Sequence, residues 1–441
     1  MKRFKTVHSS HMTMTDVKAL LIQRRGHKDP NLLSEFEALA TTAGYEVIGS
    51  FDIIGESSAK YGIRSGKVEE IETWIQVNEP GFILFSPTLT SGQMFRLMEK
   101  WEIEVRDRTQ VILEIFDRHA RTPQAKLQIE QARLRYELPF QRHQIRIRLQ
   151  QEHVGDRPIA DQVGPGANPL DVHISHIRKR IAVIQEKLDT ISKKQSLKRR
   201  GREKKGFEEV ALAGYTNAGK STLHNTLTGS EAEVADQLFT TLSTKTSTIP
   251  LPGHQVVLTD SVGFISDLPR ALLSAFNTTL MGIAEADVIV LIVDGSDSLK
   301  EIERKLSTCL ETFIEIEANG IPVIIALNKT DLLDEDELAQ RIKLIESTHP
   351  EVVPISAKNG TNLEELIAAV ERRLMPVATY RLVLPYTDAS MSLLSWLHDV
   401  ASVSNKEYSK DTISVDVRLD AVLAQKLTKK VPDGALIKLA S

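Results

Sequence analysis

The stretch Gly214-Tyr215-Thr216-Asn217-Ala218-Gly219-Lys220-Ser221 constrains this chain more than any other. It has the spacing Gly-x-x-x-x-Gly-Lys-Ser, follows an apolar run at 210–213 and precedes a helix-compatible segment at 221–228. A glycine loop between a buried strand and a helix aims backbone N–H groups at phosphate oxygens. The helix N-terminus adds positive dipole. Lys220 would neutralise charge on the outer phosphates and act in catalysis, the Ser221 hydroxyl would hold Mg²⁺, and Thr222 completes the loop's contacts.

A chain of 441 residues is too long for one ordinary core, so several domains are expected. Charged residues make up 26% and hydrophobic ones 41%, which suits a soluble globular protein and excludes a disordered or fibrous one. The net charge of -4 gives no global field to drive the chain onto nucleic acid, so any basic surface must be local. The lone Cys309 cannot form an intramolecular disulfide, which fits a reducing, cytoplasmic setting. No apolar run approaches the ~20 residues of a membrane helix. No secretory signal is legible, and His8-Ser9-Ser10-His11-Met12 is assigned no role.

Residues 14–106 alternate strand and helix signals, with strands at 17–22, 46–54, 82–85 and 103–105. This predicts a parallel α/β unit. The loop at 60–67 reads as a connecting turn, with anion binding at the next helix start as its alternative. Residues 107–200 change character. Leu170, Ile174, Ile177, Ile181, Ile184, Leu188 and Ile191 form a heptad seam, and Leu127, Leu134, Leu138, Ile145 and Leu149 a patchier one interrupted or kinked at Pro139. A Gly/Pro-rich loop at 154–169 separates them, so the expectation is an antiparallel helical hairpin with that loop at its tip. Arg142, His143, Arg146, Arg148, Arg157, Arg178, Lys179 and Arg180 stud the hairpin. Lys193, Lys194, Lys198, Arg199, Arg200, Arg202, Lys204 and Lys205 follow at its base with little opposing charge nearby. Such a surface suits an RNA phosphate backbone.

Residues 207–375 alternate strand and helix again, predicting a doubly wound parallel sheet with its ligand at the strands' carboxyl ends. Four short elements fall at such ends. Asp260-Ser261-Val262-Gly263 offers a carboxylate that can hold Mg²⁺ through water and an N–H at Gly263 that can sense a γ-phosphate. Asn328-Lys329-Thr330-Asp331 reads the base. The Asp331 carboxylate can accept from guanine N1–H and the 2-amino group, which adenine cannot match. Asn328 can tie back to the phosphate loop, and the Lys329 stem can cover the ring. Ser356-Ala357-Lys358 can bring the Ala357 N–H to guanine O6. Within Gln237-Leu238-Phe239-Thr240-Thr241-Leu242, a threonine can hold Mg²⁺ and meet the γ-phosphate. Thr241 is preferred over Thr240, which sequence separates poorly, and Phe239 lies beside them. Phe264 follows Gly263, where related hydrolases carry a glutamine that orients the attacking water. Phenylalanine cannot do this, so intrinsic hydrolysis should be slow and partner-stimulated.

The run from Gly214 to Thr222, then Asp236-Gln237-Leu238-Phe239-Thr240-Thr241-Leu242 and Asp260-Ser261-Val262-Gly263-Phe264, resembles the HflX family of translational GTPases, relatives of Obg. Upstream, Lys60-Tyr61, Ser65-Gly66-Lys67, Arg106-Asp107-Arg108-Thr109, Ile115-Phe116, Arg118, Ala120-Arg121-Thr122 and Lys126-Leu127-Gln128 are similar to that family's N-terminal domain. At the tip, Val163-Gly164-Pro165-Gly166-Ala167-Asn168-Pro169-Leu170-Asp171 keeps the family's Gly-Pro-Gly turn but lacks its flanking arginine and first glutamate.

The resemblance implies a ribosomal partner, mainly the large subunit and its rRNA, reached by the hairpin and basic linker. It also implies that some members split ribosomes under stress, and that some relatives bind a second nucleotide in the N-terminal unit. The expected architecture is a P-loop GTPase sheet (207–375) with an N-terminal α/β unit, a helical coiled-coil hairpin and a small C-terminal α/β domain (379–441). The expected cofactor is Mg²⁺, held by Ser221, Thr241 and Asp260, and the expected state is a monomer. A non-ribosomal, GTP-switched coiled-coil adaptor is the alternative reading.

Overall fold

The computed structural model describes residues 17–152, 169–203, 207–230, 239, 245–251, 254–266, 282–349, 351–374, 376–432 and 434–439. The tip loop at 154–168, Thr240, Thr241, Lys204 and Lys205 lie outside the described residues. The chain divides into two compact units, one ending at Leu188 and one starting at Asp189.

In the first unit the apolar run at the start forms β1 (Val17–Arg25), buried at Ala19, Leu20, Leu21, Ile22 and Gln23. It pairs with β2 (Tyr45–Ile54) and β3 (Phe82–Ser86), and β3 pairs with β4 (Glu104–Asp107). The order is β2-β1-β3-β4, all parallel. Helices α1 (Leu33–Thr42), α2 (Ser65–Asn78), α3 (Ser91–Trp101) and α4 (Arg108–His119) connect and cover the strands. Reciprocal caps start α3 at Thr90 and Gln93 and α4 at Asp107 and Gln110, each worth about 1 kcal/mol. Because α4 packs on α1, β3 and β4, the α/β layer continues past residue 106 to His119. The loop before α2 is organised by Ser58, whose carbonyl accepts from Gly62 N at 2.9 Å and Gln93 Nε2 at 2.9 Å.

Helices α5 (Pro123–Glu152) and α6 (Pro169–Glu203) run antiparallel. Gln131 Nε2 donates to Gln185 Oε1 at 2.9 Å, and farther out Gln141 Oε1 meets His173 Nε2 at 2.7 Å. The α6 seam is buried at Ile174, Ile177, Ile184 and Leu188. On α5 the buried residues are Ala125, Gln128, Ile129, Gln131 and Ala132, while Leu127 and Leu134 are half-buried. That helix packs on α3 and α4 too, and small residues permit the close approach. Of the kink or interruption expected at Pro139, the interruption does not occur, because helix α5 runs through that residue. A proline there costs about 3 kcal/mol of helix stability, and packing of the adjacent Phe140 onto the first unit's core opposes it. Tyr136 of α5 donates to the fully buried Asp107 carboxylate, which also accepts from Leu89 N at 3.2 Å. Burial pushes the Asp107 carboxyl above its ordinary value.

The second unit holds a six-stranded sheet of β5 (Phe207–Gly214), β6 (Lys245–Leu251), β7 (His254–Asp260), β8 (Val288–Asp294), β9 (Val323–Asn328) and β10 (Val352–Pro354), in the order β10-β9-β8-β5-β7-β6. Five strands are parallel, as expected of a doubly wound sheet. Strand β6 is antiparallel to β7 at the edge and had no counterpart in the sequence reading. Its polar alternation, ending at Pro250, carries little apolar signal. Helices α7 (Lys220–Thr228), α8 (Leu299–Glu315), α9 (Glu335–Glu346) and α10 (Leu363–Arg373) accompany the sheet. Val210, Leu212, Leu258, Val290, Ile324 and Leu366 form its core. Successive strands leave β5 in opposite directions, so the crevice for a ligand opens at the carboxyl end of β5.

A third, antiparallel sheet has the order β12-β13-β11-β14, from β11 (Ala378–Pro385), β12 (Ser402–Tyr408), β13 (Thr412–Leu419) and β14 (Leu436–Lys438). Helices α11 (Asp388–Val400) and α12 (Ala421–Thr428) contribute Leu394, Leu397, Leu423 and Leu427 to its core, with Trp396 at the margin. No helix among the described residues is long and apolar enough to cross a membrane.

Candidate nucleotide-binding site

The predicted phosphate loop sits at the carboxyl end of β5 and opens directly into α7. Its backbone has the curvature that phosphate binding needs. Asn217 adopts φ 62° and Gly219 φ 98°. A Cβ on Gly219 would fall 2.2 Å from Asn328 Nδ2, so glycine is required both for conformation and for space. Lys220 is buried, and its Nζ donates to Gly214 O at 3.1 Å and Tyr215 O at 2.8 Å. The loop thus centres its own lysine. Burial brings that ammonium down to about 8, against the pull of the nearby Asp260 carboxylate.

Unfolded Lys220 titrates near 10.5, so between the two values the unfolded chain holds more protons and stability without nucleotide rises with pH. Phosphate charge would raise the lysine's affinity for its proton again. At pH about 8.5, binding of a nucleoside diphosphate should therefore take up protons. Calorimetry in buffers of differing ionisation enthalpy checks this, and a Lys220→Met variant should lose the uptake.

Asp260 ends β7 and is fully buried. Its Oδ2 accepts from Ser221 Oγ at 3.1 Å, while its Oδ1 is buried without a hydrogen-bond partner among the described residues. An orphaned carboxylate oxygen beside a loop hydroxyl is the donor set that a hydrated divalent cation fits. No group of three or more His, Cys, Asp or Glu side chains suited to a metal occurs among the described residues. A cation here would accordingly rely on water and phosphate oxygens for its remaining ligands.

The chain after Asp260 returns over the loop. Ser261 Oγ donates to Leu212 O at 2.7 Å, a bond that a threonine would make equally. Phe264 N donates to Gly214 O at 3.0 Å, and Thr216 N to Phe264 O at 2.8 Å. Gly263 lies so close that a Cβ would meet Lys220 Nζ at 2.8 Å and Thr216 Cα at 3.0 Å. Phe264 is 2% exposed and packs edge-on against Phe313 of α8, with ring centroids 5.8 Å apart. The position of a water-orienting glutamine in other hydrolases of this kind is therefore part of the core here.

The base-reading loops are wired to the phosphate loop through Asn328. Its Nδ2 donates to Ala218 O at 2.8 Å, and its Oδ1 accepts from Ala357 N at 2.9 Å. The Ala357 amide expected at guanine O6 is thus already a donor to Asn328. Asp331 is exposed, and its Oδ1 accepts from Ser356 Oγ at 2.6 Å, which turns the carboxylate. Lys329 adopts φ 64°, and its Nζ meets Asp294 Oδ2 at 2.7 Å. Thr226 Oγ1 of α7 donates to Ala357 O at 2.9 Å. Thr222 stands half-buried in the first turn of α7, and Lys358 is exposed beside Ala357. Phe239 is buried with φ 61°.

Sequence reasoning missed the second layer. Tyr215, Ser266 and Arg304 form one cluster behind the phosphate loop, and Asp294 fixes Lys329. Only the strand-end position of Asp294 could have pointed to it. The basic linker is also corrected. Arg199 pairs with Glu209 at 3.3 Å and with Glu285, and Arg202 with Glu209 at 3.7 Å, so opposing charge is present once the chain folds. Lys193, Lys194, Lys198 and Arg200 remain exposed. Arg180 on the hairpin pairs with Glu130 at 2.7 Å.

Comparison with known proteins agrees over most of the chain, from residue 31 to residue 438. Residues 31–117 match the family described as GTP-binding GTPase N-terminal, 119–202 its middle region, 209–329 the 50S ribosome-binding GTPases, and 338–438 the HflX C-terminal domain. A GTPase HflX of Thermococcus kodakarensis is 36% identical over 92% of this chain and 91% of its own length. Those of Caldanaerobacter subterraneus and Escherichia coli are 33% and 34% identical, over 91% and 92% of this chain and 90% and 93% of theirs. With the phosphate loop, the Asn-Lys-x-Asp loop and the Ala357 loop joined through Asn328, and with relatives 33–36% identical over more than nine-tenths of its length, the chain belongs to the HflX family of GTPases.

Proposed function

We propose that this GTPase binds Mg²⁺-GTP at the carboxyl end of β5, hydrolyses it slowly alone, and is stimulated by the large ribosomal subunit in the cytoplasm, where it acts as a monomer. The observation that carries the site is Asn328, which bonds at once to the phosphate loop and the Ala357 loop and so makes separate strand ends one surface. In this reading Gly214, Tyr215, Thr216, Asn217, Ala218, Gly219, Lys220, Ser221 and Thr222 grip the phosphates. Asn328, Lys329, Asp331, Ser356, Ala357 and Lys358 surround the guanine. Ser221, Asp260 and Thr241 hold Mg²⁺, which supplies charge neutralisation across the phosphates when bound.

The chain's own residues do the rest by positioning. Lys220 withdraws charge from the outer phosphates, and the Gly263 N–H marks the γ-phosphate. The buried Phe264 offers no group to orient water, which supports a slow intrinsic rate. The ribosomal reading is supported by the description of the family matched at 209–329 and by the exposed Lys193, Lys194, Lys198 and Arg200.

The test is co-sedimentation with large subunits, with turnover measured alongside. Comigration with a GTP analogue but not GDP is expected, with turnover raised at least about tenfold, short of the ~10³–10⁵ that an added activating group can supply. Turnover as fast without subunits as with them contradicts the reading. Nucleotide-dependent binding to a non-ribosomal protein instead would favour the adaptor.

A further inference from the structure

Gly263 has no side chain, so where its N–H points is set by its neighbours. Upstream the chain is pinned by Ser261, and immediately downstream by the two backbone bonds of Phe264. One further anchor lies at Ser266. Its N–H donates to Tyr215 Oη at 2.7 Å, and the Ser266 and Tyr215 hydroxyls share a hydrogen bond at 2.8 Å. Arg304 Nη1 of α8 donates to the same Ser266 hydroxyl. The guanidinium is itself oriented by Glu301, which accepts from Nη2 at 2.7 Å and from Nε at 3.1 Å.

Tyr215 belongs to the phosphate loop, but its side chain is buried behind it. The ring has the Arg304 guanidinium 5.5 Å and the Lys305 ammonium 5.2 Å from its centroid, and Asp297 holds that ammonium at 2.6 Å. The buried phenol is thus gripped on two sides, by cations over its ring and by a serine at its tip. Because Ser266 is three residues past Gly263, this clasp joins the phosphate-gripping element to the one expected to sense the γ-phosphate.

We propose that Ser266, held by Tyr215 and Arg304, is a positioning residue for GTP hydrolysis, fixing the segment that carries the Gly263 N–H over the phosphate loop. None of the three hydroxyl or guanidinium groups needs to touch nucleotide, so the clasp acts on the geometry of the γ-phosphate region and leaves diphosphate contacts intact. The inference rests on the GTP reading above and adds a specific set of residues to it.

The test uses the full chain and measures GTP turnover beside GDP affinity for Ser266→Ala, Ser266→Thr and Arg304→Gln. Misplacement of a reacting geometry by ~1 Å costs as much as 10²-fold. Ser266→Ala and Arg304→Gln should lower kcat about ten- to a hundredfold while GDP affinity stays within about twofold of the parent. Ser266→Thr, which keeps the hydroxyl, should restore most of the rate. Combining Tyr215→Phe with Ser266→Ala should cost less than the sum of the two single changes, because both break the bond between the Tyr215 and Ser266 hydroxyls.

Parent-like turnover in Ser266→Ala overturns the proposal. So does a Ser266→Thr variant as slow as the alanine, or a GDP affinity that falls in step with kcat, which would mark a loop that has merely loosened. A parent protein that fails to bind guanine nucleotides would instead overturn the reading of the site itself, and the clasp with it.

Discussion

Asp331→Asn is expected to weaken GTP binding by about 10³- to 10⁴-fold and to transfer preference to the xanthine nucleotide. The carboxylate offers only acceptors to the N1–H and 2-amino donors of guanine. An amide presents an N–H₂ to one of those donors, leaving both unpaired under the bound base. Xanthine carries a carbonyl where guanine carries the 2-amino group, so the same amide then fits. Ser356 Oγ holds Asp331 Oδ1 at 2.6 Å, and this bond can be kept by an asparagine oxygen, so the fold should be unaffected. Competition of GTP, ATP and XTP against a fluorescent nucleotide measures the change. Restored turnover with XTP would show that only recognition has been altered.

Gly263→Ala should separate binding from chemistry. The new methyl would meet Lys220 Nζ at 2.8 Å, Thr216 Cγ2 at 2.9 Å and the Thr216 backbone at 3.0 Å. The lysine can move, but the backbone cannot without breaking the bonds between Phe264 and residues 214 and 216. The Gly263 N–H should therefore shift away from the γ-phosphate. Loss of one oriented N–H donor costs about 10²–10³ in kcat. GDP, which lacks that phosphate, should bind nearly as well as to the parent. Single-turnover hydrolysis and GDP titration read the two effects separately. An alanine variant with parent-like hydrolysis would show that this amide plays no part in the reaction.

What the sequence made legible here was local. The apolar run, glycine loop and helix start around Gly214 are contiguous, and each base-reading loop sits at the end of a strongly apolar strand. Such features announce themselves within a window of about ten residues. The edge strands β6 and β12 do not, because Lys245–Leu251 and Ser402–Tyr408 are at least half polar and carry no sustained apolar run. Pro139 misled for a related reason. A local rule predicts a kink or a break, and tertiary packing of α5 on α3 and α4 keeps the helix unbroken. The clasp was invisible because Tyr215 and Ser266 are 51 residues apart and Ser266 and Arg304 another 38. Arg199 and Arg202 looked unopposed because Glu209 lies past the basic run, on β5, and Glu285 is remote in sequence.

The central claim is that Gly214 to Ser221, Asp260 to Gly263, Asn328 to Asp331 and Ser356 to Lys358 form one guanine-nucleotide site. Equilibrium titration of the purified chain with GDP, GTP and ATP in the presence of Mg²⁺ tests it most directly. The account predicts saturable binding of both guanine nucleotides at a single site, with ATP weaker by about 10³-fold or more, and loss of that preference in Asp331→Asn. Equal affinity for ATP and GTP, or an Asp331→Asn variant that still prefers GTP as the parent does, would contradict it.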